Sequence, residues 1–259
     1  MEIGFKMEKN DSLTPNQIVH FRSQGYLNYG EVFSSEEVSA FTIAYDQCLE
    51  DKQRAGQLKN IREGQLDDGT VTQVYQIRCA HLAHPLFNSL IRDPRILDPV
   101  AKLIGPDLKV ILCQGLHKPP FTGGEIAWHQ DDYYFRVNRE NAVVSCWIAF
   151  DNATVESGCM WVMPGAHTQL YNHEVIAGGG FQFQMTEPDE VKAKPLELKA
   201  GQIMFHHGAM PHRTLPNTTN RPRRAMAIHY MDATARTLGG NREAEPPENM
   251  PVVRINSTH

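Results

Sequence analysis

Residues 201–230 read GQIMFHHGAMPHRTLPNTTNRPRRAMAIHY, two apolar runs separated by a polar segment that contains histidine, proline, asparagine and arginine. Each run has the length of a strand, and prolines and asparagines between such runs are typical of turns. Comparable short runs occur throughout the second half of the chain, at 109–116, 142–150, 158–163, 196–206 and 223–231. Short strands at such close spacing predict an antiparallel barrel or sandwich.

Signals for helices are concentrated in the first half of the chain. Thr14, Pro15 and Gln17 combine a capping hydroxyl, a proline at the first helical position and a glutamine that can complete a capping box. The segment 34–37 repeats this pattern before a stretch with apolar residues at three- and four-residue spacing. A third helix is predicted over 93–105.

The order of these signals predicts the fold class and the organisation of the chain. Helices followed by strands, without alternation of the two, favour a mainly β α+β fold in which helices brace a β core. We expect one domain over 1–259, with helical support over about 14–105, a β core over about 106–232 and an irregular tail over 238–259. The glycine-rich and then charged segment 178–194 is predicted to be a mobile loop or lid.

Composition and charge argue against several classes of partner for this chain. It has 259 residues, 41% of them hydrophobic, and a formal net charge of −5, which offers no basic field for nucleic acid or an anionic membrane. The sequence shows neither a secretion signal nor an apolar run long enough for a membrane helix. We therefore expect a cytoplasmic protein that acts on a small molecule, without a nucleic-acid or membrane partner. The sequence predicts no particular oligomeric state.

The cysteines indicate a reducing compartment. Their number is odd, they show no CxxC spacing, and most lie within apolar runs. These features are typical of buried apolar side chains and disfavour a disulfide or zinc framework. The five cysteines are Cys48, Cys79, Cys113, Cys146 and Cys159.

A group of residue types that bind metals lies in the segment 126–135, IAWHQDDYYF. If this segment is extended, His129 and Asp131 point to the same side and could bind one ion. A third ligand is expected among the histidines of the opening stretch, which are His206, His207 and His212. Two histidines and one carboxylate form the facial triad of Fe(II) oxygenases, although zinc could occupy the same set.

An arginine follows these histidines at the start of the last apolar run. The planar guanidinium of Arg223 could bind one carboxylate of a diacid bidentately while the other end of that molecule chelates the metal. Arg221, Arg223 and Arg224 could instead form a solvated basic turn. Together with the triad, the arginine favours a 2-oxo diacid as a ligand.

In this order and at this spacing, the motifs resemble those of the phytanoyl-CoA dioxygenase family of Fe(II)- and 2-oxoglutarate-dependent oxygenases. The resemblance covers most of the chain and is carried by LTPNQIVHFRSQGYL (13–27), LHKPP (116–120), WHQDDYYF (128–135), CWIAFDNATVESGCMWVMPGAH (146–167) and HRTLPNTTNRPR (212–223). It implies a double-stranded β-helix, which is a jelly roll of the cupin kind. It also implies an enzyme that uses Fe(II), the cosubstrate 2-oxoglutarate and O2.

The resemblance assigns roles by position. It implies that the metal ligands are His129, Asp131 and His212, and that Arg223 holds the far carboxylate of 2-oxoglutarate. Further contacts with the cosubstrate are implied for Trp147, Thr214 and Gln114.

The chain departs from the family pattern beside the last ligand. Arg213 stands where glycine is usual, and Thr214 replaces a serine that hydrogen-bonds the cosubstrate. His206 and His207 then become structural or supporting residues. Asp132, which would face away from Asp131 on a strand, is interpreted as a surface or supporting group.

The presence of a carboxylate ligand favours oxygen transfer over halogenation. Related halogenases resemble this pattern with glycine or alanine in place of the carboxylate, which leaves a site for chloride. Asp131 fills that site here. The expected reaction is therefore hydroxylation of a C–H bond in a small metabolite or biosynthetic intermediate, with release of succinate and CO2. Desaturation, cyclisation and epimerisation by the same oxidative chemistry are alternatives.

Five residues are candidates for contact with the substrate. Tyr133, Tyr134 and Phe135 could wall a pocket for an apolar or ring-bearing molecule, or they could be packing residues. Lys118 and Arg78 could pair with a carboxylate or phosphate of the substrate. They could instead be surface charges, and Arg78 could also lie on the cosubstrate side.

Two rival functions are compatible with the same residues. A zinc- or iron-binding cupin could isomerise or hydrolyse its substrate, using the metal only as a Lewis acid and without any need for Arg223. A catalytically silent β-barrel could bind a ligand, with WHQDDYYF as a polar turn. The complete ligand set favours the oxygenase.

Overall fold

The computed structural model describes residues 13–61, 64–65, 68–176, 183–238 and 249–255. The helices in these ranges are α1 (Pro15–Gln24), α2 (Ser35–Arg54), α3 (Ala80–Ala83), α4 (Pro85–Leu90), α5 (Pro94–Ile104) and α6 (Asp131–Phe135). The strands are β1 (Tyr26–Glu31), β2 (Lys59–Asn60), β3 (Gly64–Gln65), β4 (Val71–Thr72), β5 (Tyr75–Arg78), β6 (Leu108–Lys118), β7 (Ile126–His129), β8 (Val143–Ala149), β9 (Met160–Val162), β10 (His173–Val175), β11 (Phe183–Met185), β12 (Lys194–Leu196), β13 (Gln202–His207), β14 (His212–Thr214), β15 (Arg223–Asp232) and β16 (Val252–Arg254).

The three helices predicted from capping signals are all present. Thr14 caps α1 by accepting a hydrogen bond from the Gln17 amide, and the Gln17 side chain accepts one from the Thr14 amide in return. Ser34 and Glu37 form the same reciprocal cap on α2. Each cap satisfies two backbone donors that a helix start would otherwise leave without partners. Asp93 caps α5, which ends before Gly105.

Two antiparallel sheets form the β core. The larger has eight strands in the order β1-β13-β8-β15-β6-β5-β2, with β16 also paired to β6. The smaller has the order β12-β9-β14-β7. Strands adjacent in either sheet are distant in sequence, as in a jelly roll, and the predicted fold class, a mainly β α+β jelly roll with helices on one side, is confirmed.

The alternation of side chains along β15 separates the two layers of the core. Ile228 and Tyr230 pack with residues of the helices, such as Phe41 on α2, in one large apolar cluster. Ala227 lies on the opposite face of β15 and packs with Val162 of the small sheet in a second cluster. The helices therefore cover the outer face of the large sheet, and the interior of the jelly roll lies between the sheets.

The first half of the chain also contributes strands, which was not predicted. β1 begins after Gly25, whose backbone has a φ of 77° and whose missing side chain leaves room for His167; a Cβ atom there would lie 2.4 Å from that ring. β1 forms one edge of the large sheet beside β13, and β5 extends the other side of β6. The range 14–105 is thus a mixture of helices and edge strands.

The predicted strand over 196–206 is divided in two. Gly201 has a φ of 86°, and its position 2.4 Å from the Phe33 carbonyl oxygen, measured to an added Cβ, leaves no space for a side chain. β12 ends before this turn and joins the small sheet, and β13 begins after it in the large sheet. The other four predicted strands correspond to β6, β8, β9 and β15 with small shifts of their ends.

The predicted lid and tail are partly described. Residues 178–182 of the lid fall outside the described residues, and within 183–194 the chain forms β11 and a 3-10 helix at Glu190–Lys192. In the tail, predicted to be irregular, Val252–Arg254 pair with β6. The division of the chain into domains stays a prediction.

All five cysteines are free thiols, as expected. Four are buried, and Cys79 is half-buried. Among the described residues, no helix combines the length with the apolar character needed to cross a membrane. The cytoplasmic location stays a prediction.

Candidate metal centre and cosubstrate site

The three predicted metal ligands lie together between the sheets. His129 at the end of β7 is paired with His212 at the start of β14, and their ring centroids are 4.1 Å apart. The Oδ1 atom of Asp131 is 4.0 Å from His129 Nε2 and 3.8 Å from His212 Nε2. Ligand bonds of about 2.0–2.2 Å allow two donors of one ion to be this far apart. The donor set therefore fits a single metal ion.

The route by which Asp131 reaches this position differs from the prediction. The strand ends at His129, and Asp131 is the first residue of helix α6 rather than the next inward residue of a strand. The turn between them is fixed by Gln130, whose buried amide donates to the carbonyl oxygens of Gln169 and Ala209. The three residues lie together as expected, although Asp131 reaches the cluster from a helix and not from a strand, and their role as metal ligands stays a prediction.

Both histidines present the same ring nitrogen to the ion. His129 Nδ1 lies 2.8 Å from the Ala127 carbonyl oxygen, and His212 Nδ1 lies 2.9 Å from that of Met210. Because a carbonyl oxygen only accepts, each Nδ1 carries the hydrogen and each Nε2 keeps its lone pair for a metal. Burial, together with repulsion by His212, holds the pKa of His129 well below its usual range, so its ring is neutral and ready to ligate.

The second oxygen of Asp131 is held by the large sheet. The Ser145 hydroxyl on β8 donates to Oδ2 at 2.9 Å, and His229 Nδ1 on β15 lies 3.2 Å from the same oxygen. Burial alone would raise the pKa of Asp131, but attraction to His229 and His212 holds it well below its usual range. The carboxylate is therefore charged, with Oδ2 bound by the protein and Oδ1 facing the Nε2 atoms of His129 and His212.

The contact to His229 continues as a chain of hydrogen bonds. Gln114 donates its amide to His229 Nε2 at 3.0 Å, and Gln76 donates to the Gln114 carbonyl at 2.5 Å. This chain fixes the His229 tautomer with the hydrogen on Nδ1, which faces Asp131 and Ser145. Both ends of the Gln114 amide are thus bound by protein groups, which argues for a supporting role. Its predicted contact with the cosubstrate stays a prediction.

A second set of polar atoms surrounds Arg223, which is 1% exposed. None of its three guanidinium nitrogens has a hydrogen-bond partner within the described residues, and neither does the buried hydroxyl of Thr214. The guanidinium lies 5.6 Å from the centre of the Trp147 ring. Burial lowers the pKa of Arg223 to about 10, so it remains charged at neutral pH. Unpartnered buried donors of this kind fit an anionic ligand such as a carboxylate.

The three aromatic residues proposed to contact the substrate differ in burial and in their contacts. Tyr133 is half-buried and stacks on His173 of β10, with ring centroids 4.0 Å apart. The Tyr134 hydroxyl is hydrogen-bonded to both the carbonyl and the amide of Phe183 on β11, and Phe135 packs against the His229 ring. Tyr134 and Phe135 are therefore packing residues, because their side chains are 5% and 2% exposed. Of the three aromatic residues, Tyr133 is the most accessible.

The two basic candidates, Arg78 and Lys118, also lie in different surroundings. Arg78 is half-buried on β5, directly opposite Gln114 in the ladder between β5 and β6. Lys118 is fully buried, with 0% exposure, at the end of β6. The alternative that Lys118 is a surface charge is therefore wrong, because the side chain points into the interior between the sheets.

Asp132 is not a surface group. It is half-buried, its amide donates to the Gly208 carbonyl, and its Oδ1 has no hydrogen-bond partner within the described residues. A Cβ atom on Gly208 would lie 2.2 Å from that oxygen. Burial and repulsion by Asp131 raise the pKa of Asp132 to about 7.

Several residues of the site were not predicted from the sequence. Ser145 and His229 are polar positions inside the apolar runs VVSCWIA and AMAIHY, a signal that indicates an inward-facing polar contact. His206 also lies near the metal ligands, with Nε2 3.9 Å from Asp131 Oδ2, in the supporting place predicted for it. His207 is farther away and accepts a hydrogen bond from the Ala209 amide.

Arg213, which departs from the family pattern, points away from the metal. Its guanidinium lies over the rings of Trp128 and Trp161, at 4.9 and 5.8 Å from their centres. It also pairs with Glu190 at 2.8 Å, and Glu190 accepts a hydrogen bond from the Trp128 indole. Because this contact is on the outer face of the small sheet, the larger side chain leaves the inward face of β14 unchanged.

Comparison with known proteins agrees with this arrangement. The phytanoyl-CoA dioxygenase (PhyH) family profile matches residues 21–225. The phytanoyl-CoA dioxygenase domain-containing protein 1 of Rattus norvegicus is 27% identical over 179 residues, which are 66% of this chain and 61% of the rat protein. The chain thus spans less than two thirds of that relative's length.

Two solved structures cover nearly all of the chain. The non-haem α-ketoglutarate-dependent carbocyclase SnoK from nogalamycin biosynthesis is 26% identical with a TM-score of 0.72, covering 93% of this chain and 96% of its own. The non-haem monooxygenase ThoJ in its apo form is 26% identical with a TM-score of 0.74, covering 93% and 85%. These matches support the expected enzyme class, an oxygenase that depends on iron, 2-oxoglutarate and O2. The chain belongs to the phytanoyl-CoA dioxygenase family.

Proposed function

We propose that this protein hydroxylates a C–H bond of a small organic molecule, with Fe(II) bound by His129, Asp131 and His212. Arg223 and Thr214 bind the far carboxylate of 2-oxoglutarate beside the Trp147 ring. One observation carries the proposal: a two-histidine, one-carboxylate cluster shares the interior with a buried arginine whose donors have no protein partner. A metal centre that acted only as a Lewis acid would not require that arginine.

Different residues of the chain bind and orient the metal and the cosubstrate. When bound, iron and 2-oxoglutarate supply, with O2, the oxidising power that breaks the C–H bond, and 2-oxoglutarate leaves as succinate and CO2. His129, Asp131 and His212 would hold the ion with three protein ligands, which would leave room on it for a chelating cosubstrate and O2. Ser145 and His229 hold Asp131 in a fixed orientation, and the apolar interior around Trp147 excludes water.

The reaction outcome depends on where the substrate lies relative to the metal. SnoK is a carbocyclase and ThoJ a monooxygenase, so proteins similar to this one carry out different oxidations. Hydroxylation is our first choice because Asp131 fills the position that halogenases leave open. Cyclisation, desaturation or epimerisation would change the product but not the ligands.

The test follows succinate formation by protein loaded anaerobically with Fe(II), given 2-oxoglutarate and then exposed to O2. We expect slow succinate formation without substrate, and faster formation with a true substrate from a panel of acyl-CoA thioesters and ring-bearing natural-product scaffolds. His129→Ala should abolish it. His20→Ala, which changes an exposed histidine, is the control.

Two results would contradict the proposal. Absence of succinate with every compound in the panel, from protein that holds iron, would exclude the oxygenase. Unchanged turnover of a substrate by Arg223→Ala would favour the non-oxidative cupin, since that enzyme has no use for the arginine.

A further inference from the structure

Lys118 is a fully buried basic residue beside the proposed carboxylate site and has no role in the function proposed above. It is the last residue of β6 and lies directly opposite Arg223, the first residue of β15, in the ladder between the two strands. Side chains directly opposite in such a ladder lie on the same face of the sheet. Lys118 and Arg223 therefore enter the interior side by side.

The ammonium group of Lys118 is held by the strand that carries a metal ligand. Nζ donates to the carbonyl oxygen of Thr214 at 3.2 Å and to that of Leu215. Thr214 is the last residue of β14, two positions after His212, and Leu215 follows it. Lys118 thus links the large sheet to the segment that presents Thr214.

The space around this ammonium group is closely fitted. Gly158 has a φ of 80°, and a Cβ atom there would lie 3.1 Å from Lys118 Nζ and 2.3 Å from the Leu215 carbonyl oxygen. Only glycine fits both this backbone conformation and this approach. The Asn217 side chain also donates to the Lys118 carbonyl at 3.2 Å. Lys118 therefore lies in a closely packed site whose neighbouring backbone is fitted around its side chain.

Lys118 and Arg223 share one region without a protein anion among the described residues. In the described part of the chain, no carboxylate lies within ion-pair distance of Lys118 or Arg223, and the nearest acidic influence on Lys118 comes from the exposed Glu125. Burial and the charge of Arg223 hold the pKa of Lys118 well below its usual range. Arg223, which keeps its charge, therefore has no protein counterion in that part of the chain, and an anion bound beside it would also favour the charged form of Lys118.

We propose that Lys118 is a positioning residue of the cosubstrate site, which fastens the Thr214–Leu215 segment and, with Arg223, restricts the site to 2-oxo acids that carry a second carboxylate. The inference rests on the proposed function, since it assumes that 2-oxoglutarate binds at Arg223. It removes Lys118 from the candidate substrate contacts. It also gives the chain a second determinant of cosubstrate choice besides the arginine.

The test compares two ligands that differ only at the far end. 2-Oxopentanoate has the carbon chain of 2-oxoglutarate with a methyl group in place of the distal carboxylate. The affinity of each for Mn(II)-loaded protein is measured by calorimetry, which needs no turnover. We expect Lys118→Met to weaken 2-oxoglutarate about 10- to 100-fold, because Thr214 loses its anchor and the site loses a basic group near the far carboxylate, and to leave 2-oxopentanoate within about twofold.

A matched control lies on the same strand. Lys109 also donates to two backbone carbonyls, those of Ala233 and Ala235, but at the opposite end of β6. Lys109→Met should change neither affinity. If Lys118→Met does not fold, Lys118→Gln keeps an amide donor for the Thr214 carbonyl without the charge, and the same comparison applies to it.

The possible outcomes distinguish a failure of this inference from a failure of the proposed function. Equal weakening of both ligands would show that Lys118 only supports the fold near the metal, and unchanged affinity for 2-oxoglutarate would show that it has no role; either overturns the inference. Wild-type protein that binds Mn(II) but does not bind 2-oxoglutarate would instead overturn the proposed function.

Discussion

The two carboxylate oxygens of Asp131 have different partners. One of them is held by residues that are not in the predicted ligand set. Ser145 and His229 occupy Oδ2, so that Oδ1 alone faces His129 and His212. Hydrogen-bond partners of metal ligands fix ligand orientation, and their loss typically costs 10- to 100-fold in metal affinity. The metal affinity of this protein should therefore depend on a serine that does not touch the ion.

We expect Ser145→Ala to weaken Mn(II) binding about 10- to 100-fold, because Asp131 loses its hydroxyl donor and can rotate. A competition titration against a coloured chelator measures the change. Ser157→Ala replaces another buried serine, which bonds only within its own loop, and should leave metal affinity unaltered. Equal metal affinity of Ser145→Ala and the wild type would show that Asp131 is held by packing alone.

At the scale of single residues, the sequence predicted what local spacing encodes. Residue type and order singled out His129, Asp131 and Arg223, and the family resemblance selected His212 among three histidines. Ser145, His229 and the buried position of Lys118 were not predicted, because their partners are brought to them by strand register rather than by sequence distance. Lys118, for example, meets Thr214 only because β6 and β14 belong to different sheets that face each other.

Helix α6 connects the metal centre to the hairpin formed by β10 and β11. It begins with Asp131, and its Tyr134 hydroxyl accepts from the Phe183 amide at 3.1 Å and donates to the Phe183 carbonyl at 2.9 Å. The stack of Tyr133 on His173 adds a second contact to the same hairpin. The position of the hairpin is thus linked to a ligand by one short helix.

We expect Tyr134→Phe to loosen β11 without removing the metal site, because two backbone groups of Phe183 lose their partner. Hydrogen exchange of the Phe183 amide should become about tenfold faster, which corresponds to about 1.4 kcal/mol. Tyr133→Phe keeps its ring against His173 and the Phe183 contacts intact, so exchange there should not change. Equal exchange in Tyr134→Phe and wild type would mean that the hairpin is held by other contacts.

At the scale of elements, predictions succeeded where signals were local and failed where tertiary structure overrides them. Reciprocal caps identified α1 and α2 because both partners lie within four residues. The break at Gly201 and the start of α6 after β7 were missed. Both depend on close approach to distant segments, Phe33 for Gly201 and Gly208 for α6.

The whole molecule places basic side chains in apolar surroundings outside the metal centre as well. His117 on the outer face of β6 packs edge-on against Tyr45 and Tyr75, and neither ring nitrogen has a hydrogen-bond partner within the described residues. Burial, then repulsion by Arg224, lowers its pKa to about 4. His207 has a pKa lowered to about 4 by burial and by His167.

These shifts predict a loss of stability in mild acid. The unfolded chain has histidine pKa values of about 6.5, so it binds more protons than the folded protein between about pH 6.5 and 4, and the free energy of unfolding falls as the pH is lowered through that window. His117→Phe removes one such proton and should flatten the decline, as measured by urea unfolding at pH 7, 6 and 5. Parallel declines in variant and wild type would contradict the assignment.

The site exists only when the two sheets face each other. The small sheet provides His129, His212 and Thr214, and the large sheet provides Arg223 and Lys118. The metal and the far carboxylate are therefore predicted to bind at one interface between the sheets. Fold class and chemistry could be predicted because the motifs occur in a recognisable order and spacing along the chain, whereas substrate identity depends on surroundings that no single motif encodes.

The most direct test of the metal and cosubstrate assignment is the visible absorption spectrum of anaerobic protein loaded with Fe(II), recorded as 2-oxoglutarate is added. We predict a new absorption band as the 2-oxo acid chelates the iron. The band should be absent in His212→Ala and should require a much higher 2-oxoglutarate concentration in Arg223→Met. A wild-type protein that holds Fe(II) but shows no band, or an Arg223→Met titration identical to that of the wild type, would contradict the account.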